Sequence, residues 1–74
     1  MNGTYDAESD AVYLRLIENP EPGCSNRQAA VEAEGLRAMV VFDFDDEDRL
    51  LGIEIIGARD VLRPETLTML RRIG

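Results

Sequence analysis

Val40-Val41-Phe42-Asp43-Phe44-Asp45-Asp46-Glu47-Asp48-Arg49-Leu50-Leu51-Gly52-Ile53-Glu54-Ile55-Ile56 reads as an apolar strand, an acidic turn and a second apolar strand. β-branched and aromatic runs on either side of a polar cluster are the pattern of a hairpin. With Asp45 to Asp48 as a four-residue loop, Phe42 falls opposite Leu51, Val40 opposite Ile53 and Ala38 opposite Ile55. Those residues share one face, because side chains alternate along a strand with a period of two. The other face then carries Met39 and Val41 on one strand and Leu50, Gly52, Glu54 and Ile56 on its partner. In this register Glu54 sits opposite Met39.

Outward from the hairpin, the chain of 74 residues divides into short elements of one domain, residues 1–74. Thr4-Tyr5-Asp6 reads as a first strand, and Ala7-Glu8-Ser9-Asp10 as a turn whose Asp and Ser side chains bond nearby amides. Ala11 to Ile17 alternates as a strand, with Val12, Leu14 and Leu16 on one side. Glu18 to Gly23 holds two prolines and a glycine, which mark a loop. Arg27 to Glu34 is expected as a strand ended by Gly35, and Leu36 to Phe44 as the strand that enters the hairpin. Pro64 suits the first position of a helix over 64–73, with Glu65 near its positive end and Arg71-Arg72 near its negative end. Leu67, Leu70 and Ile73, with Met69 alongside, form its apolar stripe. The expected fold class is α+β: a small antiparallel β-meander of four to five strands with the C-terminal helix packed on one face.

Composition narrows the chemistry. Fifteen acidic against eight basic residues give a formal net charge of −7, which repels phosphate backbones and argues against nucleic acid as a partner. The same balance fits a basic protein partner or a cation, or plain solubility. No apolar run reaches the about 20 residues that span a bilayer, and Met1 to Asp6 lacks the basic and apolar regions of a signal peptide. A lone Cys24 forms no internal disulfide and suits a reducing cytoplasm, the expected location. A chain this short buries only about 60% of its unfolded surface, and self-association is the remaining supplement for a core without disulfide or structural metal.

Two motifs carry a resemblance. Tyr5-Asp6-Ala7-Glu8-Ser9-Asp10-Ala11-Val12-Tyr13-Leu14-Arg15-Leu16 and, later, Asp43-Phe44-Asp45-Asp46-Glu47-Asp48-Arg49-Leu50-Leu51-Gly52-Ile53-Glu54-Ile55-Ile56 resemble the small bacterial family called domain of unknown function 2283. The resemblance covers about residues 4–57. It implies a compact sheet with a C-terminal helical element, and it brings no assigned activity and no catalytic residues. Where that family has glycine at the end of the acidic turn, this chain has Asp48, a residue that takes the left-handed conformation less readily than glycine.

Candidate sites follow from residue types. Asp43, Asp45, Glu47 and Glu54 fall at the first, third, fifth and twelfth positions of an EF-hand loop, but Asp48 occupies the sixth, where glycine is required. The flanks are also strand-like rather than helical. Asp45, Asp46, Glu47 and Asp48 remain as candidates for weak cation binding, against a solvated turn. Histidine is absent, which removes the commonest general base, and Ser9, Ser25 and Cys24 have no base beside them. No cofactor is expected. Glu54 stands among isoleucines either as an exposed charge or as an ion pair with Arg37 or Arg15, and Gly52 permits close approach by a bulky side chain. The expected function is a non-catalytic protein-interaction module, a homo-oligomer with a dimer favoured. Met39, Val41, Leu50, Glu54 and Ile56 form its candidate interface. A small-ligand or cation-binding domain is the alternative.

Overall fold

In the computed structural model, which describes residues 2–18 and 24–74, six strands form one sheet. They are β1 (Asn2–Asp6), β2 (Ala11–Arg15), β3 (Arg27–Val31), β4 (Met39–Phe44), β5 (Leu50–Ile56) and β6 (Arg71–Ile73). A 3-10 turn (Ala58–Asp60) and one short helix, α1 (Pro64–Thr68), lie between β5 and β6. The strand order is β3-β4-β5-β2-β1-β6. All neighbours are antiparallel except β1 and β6, which run parallel. The fold is therefore mostly β, a six-stranded mixed sheet rather than an antiparallel meander of four or five strands.

The C-terminal segment departs most from the sequence expectation. Pro64 does stand at the start of α1 with Glu65 in its first turn, but the helix stops after five residues. Arg71, Arg72 and Ile73 pair with Thr4, Tyr5 and Asp6 instead of completing the last helical turn. The outer edge of β1 offers a row of unpaired amides and carbonyls, and satisfying that edge outweighs the modest helical preference of three residues. The expected stripe is broken accordingly. Leu67 and Leu70 face the core, whereas Met69 is 79% exposed and Ile73 lies on the opposite side of the sheet.

The hairpin register also differs. Phe42 pairs with Ile53, Val40 with Ile55 and Val41 with Glu54, so Ile56, not Glu54, lies opposite Met39. The shift is two residues, which preserves the faces while changing every partner. Its cause is a longer loop. Arg49 belongs to the turn, Phe44 pairs with Leu50, and an irregularity at Asp43 and Phe44 absorbs the odd residue. β2 ends at Arg15 and β3 at Val31, each shorter than its alternation suggests, and Leu36 and Ala38 precede β4 rather than belonging to it. The expected loop over 18–23 falls almost wholly outside the described residues.

One face of the sheet carries the core. Tyr5, Val12 and Ala58 are buried together, with Ala7, Leu14, Ile55, Leu62, Leu67 and Leu70 packed against them. Gly3 makes this possible, because a Cβ there would lie 2.5 Å from the Leu70 Cδ2 atom. Asp10, at the end of the β1–β2 turn with φ 55°, fastens the segment after β5 to that core. Its carbonyl accepts the amides of Gly57 and Ala58, both at 3.0 Å. Its carboxylate accepts the Tyr5 hydroxyl and the Arg59 amide, each at 3.0 Å, and Arg59 Nε lies 3.3 Å away.

Candidate functional site

The register arranges the helix-free face in three rows. The first runs Ile73, Asp6, Ala11, Ile56 and Met39. The second runs Arg71, Thr4, Tyr13, Glu54, Val41 and Ala30, and the third Asn2, Arg15, Gly52, Asp43 and Gln28. Apolar side chains thus concentrate at one end of the face and polar ones at the other.

Tyr13 organises the polar end. It leans across the strand pair over Gly52, where a side chain of any size would collide with its phenol. Its hydroxyl donates to Asp43 Oδ2 at 3.2 Å, and Ser25 Oγ donates to Asp43 Oδ1 at 2.6 Å. This lock ties β2 to β4 across β5 and brings the segment before β3 down onto the sheet. Burial raises the Tyr13 pKa, and the charge and hydrogen bond of Asp43, with Cys24 and Glu54 nearby, raise it further. Gly52 was the legible trace of this contact in the sequence. Its partner was not, because Tyr13 and Asp43 are thirty positions apart.

The acidic turn is occupied by its own hydrogen bonds. Asp45 accepts the amides of Glu47 and Arg49, both at 2.9 Å. Those amides, the Arg49 bond foremost, hold its carboxyl below the usual aspartate range. Asp48 adopts φ 60°, the left-handed conformation expected there, and its carboxylate meets Arg27 Nε at 2.9 Å. Glu47 meets Arg49 Nη2 at 2.8 Å. The turn therefore directs three of its four candidate cation ligands, Asp45, Glu47 and Asp48, toward amides and arginines; Asp46 is exposed. Among the described residues no group of three or more histidine, cysteine or acidic side chains is placed to hold a metal.

Four of the five candidate interface residues lie together on adjacent rows of β4 and β5. Met39 and Ile56 are neighbours at the apolar end, and Val41 and Glu54 pair in the middle row. Leu50 stands apart at the hairpin tip opposite Phe44. Val41 is only 8% exposed within the protomer, whereas Ile56 and Leu50 are 38% and 40% exposed. Glu54 makes no ion pair with Arg15 or Arg37; the described ion pairs use Arg27, Arg49, Arg59 and Arg63. On the helix-free face Tyr13 is the cross-strand neighbour of Glu54.

Two regions of the sheet stay open. On the helix-bearing face, Leu62, Leu67 and Leu70 reach only as far as the β1, β2 and β5 side chains. Val31, Val40, Phe42, Phe44 and Ile53 lie beyond that cluster, and each keeps solvent exposure. Phe42 and Phe44 stand with ring centroids 6.5 Å apart, and the Arg27 guanidinium lies 4.2 Å from the Phe44 ring centre. On the helix-free face, an open groove of about 360 Å³ runs between Tyr13 and Arg71, and a smaller one of about 150 Å³ lies between Tyr13 and Ile73. Neither is an enclosed cavity.

No curated protein and no solved structure matches the chain significantly. A family model does match, over residues 3–59, taking in β1 to β5 and ending in the 3-10 turn, so that α1 and β6 lie beyond it. The chain belongs to that family, DUF2283, described as a protein of unknown function.

Proposed function

We propose that this domain is a non-catalytic protein-interaction module that pairs with a second copy of itself through the uncovered half of its helix-bearing face. One observation carries the reading: Val31, Val40, Phe42, Phe44 and Ile53 stand on that face beyond the reach of a five-residue helix. Interface centres are enriched in aromatic residues and poor in charge, and this patch carries Phe42 and Phe44. The proposed contact therefore lies opposite the surface that Met39, Val41, Leu50, Glu54 and Ile56 suggest in the sequence. Val41 is already buried in the protomer, and Asp6 interrupts the row that joins Met39 and Ile56 to Ile73.

A second copy is the occupant that fits. Two-fold dimers are the commonest soluble assemblies, and their interfaces use the same patch on both partners. The patch runs out to β3, an edge strand whose Gln28, Ala29, Ala30 and Val31 carry no charge. Past Arg27, whose charge is paired with Asp48, this edge has no charge and gives little protection against association, whereas the opposite edge, β6, presents Arg71 and Arg72. The absence of histidine and the open form of both grooves support a binding role over a catalytic one.

Sedimentation velocity on the full chain tests the proposal, with circular dichroism as a check on folding. The wild type is expected to sediment at twice the protomer mass. The equilibrium should tighten as salt rises from about 0.1 M to about 1 M, because that shortens the screening length from about 10 Å to about 3 Å between two protomers of like charge. Val31→Glu and Phe44→Gln are each expected to weaken pairing by about tenfold or more while remaining folded. A monomer at high micromolar concentration overturns the reading. So does a dimer indifferent to Phe44→Gln, which would point to edge pairing through β3.

A further inference from the structure

We propose that the larger groove on the helix-free face is a binding site for a small phosphate dianion, held between Arg15 and Arg71. Asn2 and Thr4 on β1 form its floor, and its walls are Tyr13 and Arg15 on β2, Arg71 on β6, and Met69 from the turn after α1. The groove exists because Tyr13 leans away over Gly52 and leaves the surface of β1 uncovered.

The arginines supply the argument. The chain has eight basic residues, all arginine, against fifteen acidic ones. Arg27, Arg49, Arg59 and Arg63 each meet a carboxylate inside the fold. Arg15, Arg37, Arg71 and Arg72 meet none within 4.0 Å among the described residues, although acidic residues outnumber basic ones nearly two to one, and of these four Arg15 and Arg71 line the one groove. In so acidic a chain, two unengaged guanidinium groups lining one groove mark a local reversal of sign. β1 lies between their strands, and the register sets Arg15 beside Asn2 and Arg71 beside Thr4. Their Cα atoms are then about 12 Å apart from strand spacing and rise alone, a span that two arginine side chains close from opposite sides onto one tetrahedral group.

Phosphate suits this geometry better than carboxylate. Guanidinium forks match its oxygens in pairs, and a tetrahedral dianion presents oxygens to both walls at once. The Thr4 hydroxyl and the Asn2 amide stand on the floor between the arginines as further donors. The volume of about 360 Å³ admits a small organic body attached to the phosphate, with exposed Met69 at its apolar margin. Net charge of −7 repels polyanions from the surface as a whole, so the site selects a compact ligand over a nucleic-acid backbone.

The test is a titration of the full chain with inorganic phosphate at pH 7.5, read by amide and arginine side-chain NMR against sodium chloride of equal ionic strength. Saturable shifts are expected at Asn2, Thr4, Arg15 and Arg71, with Arg37, Arg59 and Arg63 unmoved. Arg15→Gln and Arg71→Gln, both at exposed positions, should keep the wild-type melting temperature and weaken the phosphate dissociation constant by at least about tenfold each. Shifts that fail to saturate, that spread over all the arginines, or that survive both substitutions overturn the proposal.

Discussion

Gly52→Ala isolates the contact on which the helix-free face depends. An alanine Cβ there would overlap the Tyr13 hydroxyl and Cζ atoms and stand 2.9 Å from the Leu14 carbonyl oxygen. The carbonyl is backbone and cannot move far, so the phenol must swing out. Overpacking of this kind costs about 1–3 kcal/mol. The displaced hydroxyl also releases Asp43, at about 1 kcal/mol for a partly exposed hydrogen bond. Against this, replacing glycine inside a strand by alanine recovers about 0.5–1 kcal/mol. The balance is a loss of about 2 kcal/mol, or about 8–16 °C in melting temperature for a domain of this size. Urea and thermal unfolding followed by circular dichroism measure it. In a Tyr13→Ala background the same substitution should lose more than half of its effect, because only the Leu14 carbonyl remains in the way. A neutral or stabilising Gly52→Ala would refute the position of the Tyr13 ring, and with it the reason given for the open groove.

Two further expectations rest on charge. Asp10 is pushed up by desolvation, but the Arg59 amide and the Tyr5 hydroxyl outweigh that and hold it below the ordinary aspartate value of 3.8; Asp45 is held low mainly by the Arg49 amide. A carboxyl depressed on folding binds fewer protons folded than unfolded, so its stabilisation is complete above the ordinary value and is lost as pH falls through the folded one. Melting temperature should be level toward neutrality and drop below about pH 4, and Asp10→Asn should lower the neutral plateau and flatten the acid limb; an unchanged acid limb would refute the role given to Asp10. Asp48→Gly exchanges a left-handed aspartate and an exposed pair with Arg27 for a residue free of strain, and should stabilise by about 0–1 kcal/mol. A clear loss in a thermal melt would assign Asp48 a larger part than the turn geometry gives it.

The faces of the hairpin were legible because period-two alternation is a local property. Val40, Phe42, Ile53 and Ile55 share one side whichever loop joins their strands. The exact pairing was not, since it turns on whether Arg49 extends the strand or closes the loop. The Asp45 carboxylate decides that by accepting the Arg49 amide. Long-range pairings were hidden for a different reason. β2 lies beside β5, and β6 beside β1, and both depend on which edges remain unpaired once the hairpins have formed. Arg71-Arg72-Ile73 reads as the end of a helix in isolation and becomes a strand only beside β1. For the sites, the acidic turn drew attention through composition, yet the Tyr13, Asp43 and Ser25 lock and the Arg15 and Arg71 groove join residues whose proximity no local pattern encodes.

Coverage of the sheet explains why open surfaces of opposite character occur in so small a domain. The helix-bearing face is closed over β1, β2 and β5 by Leu62, Leu67 and Leu70, and Val12 is the one large side chain sealed from solvent among the described residues. On the other face the closure is polar and lies toward β4, where Tyr13 crosses Gly52 to reach Asp43 and Ser25. The two covers therefore sit at opposite corners of the sheet. What they leave bare is an apolar quarter at β3 and β4 on one side and a basic quarter at β1, β2 and β6 on the other. Because these quarters lie on opposite faces and use different strands, a partner on the first leaves the second accessible. The separation makes the two proposals independent: Val31→Glu should disrupt pairing without altering phosphate binding, and Arg15→Gln should do the reverse. Coupled loss of both activities in a folded variant would place them on one surface and contradict this division of the sheet.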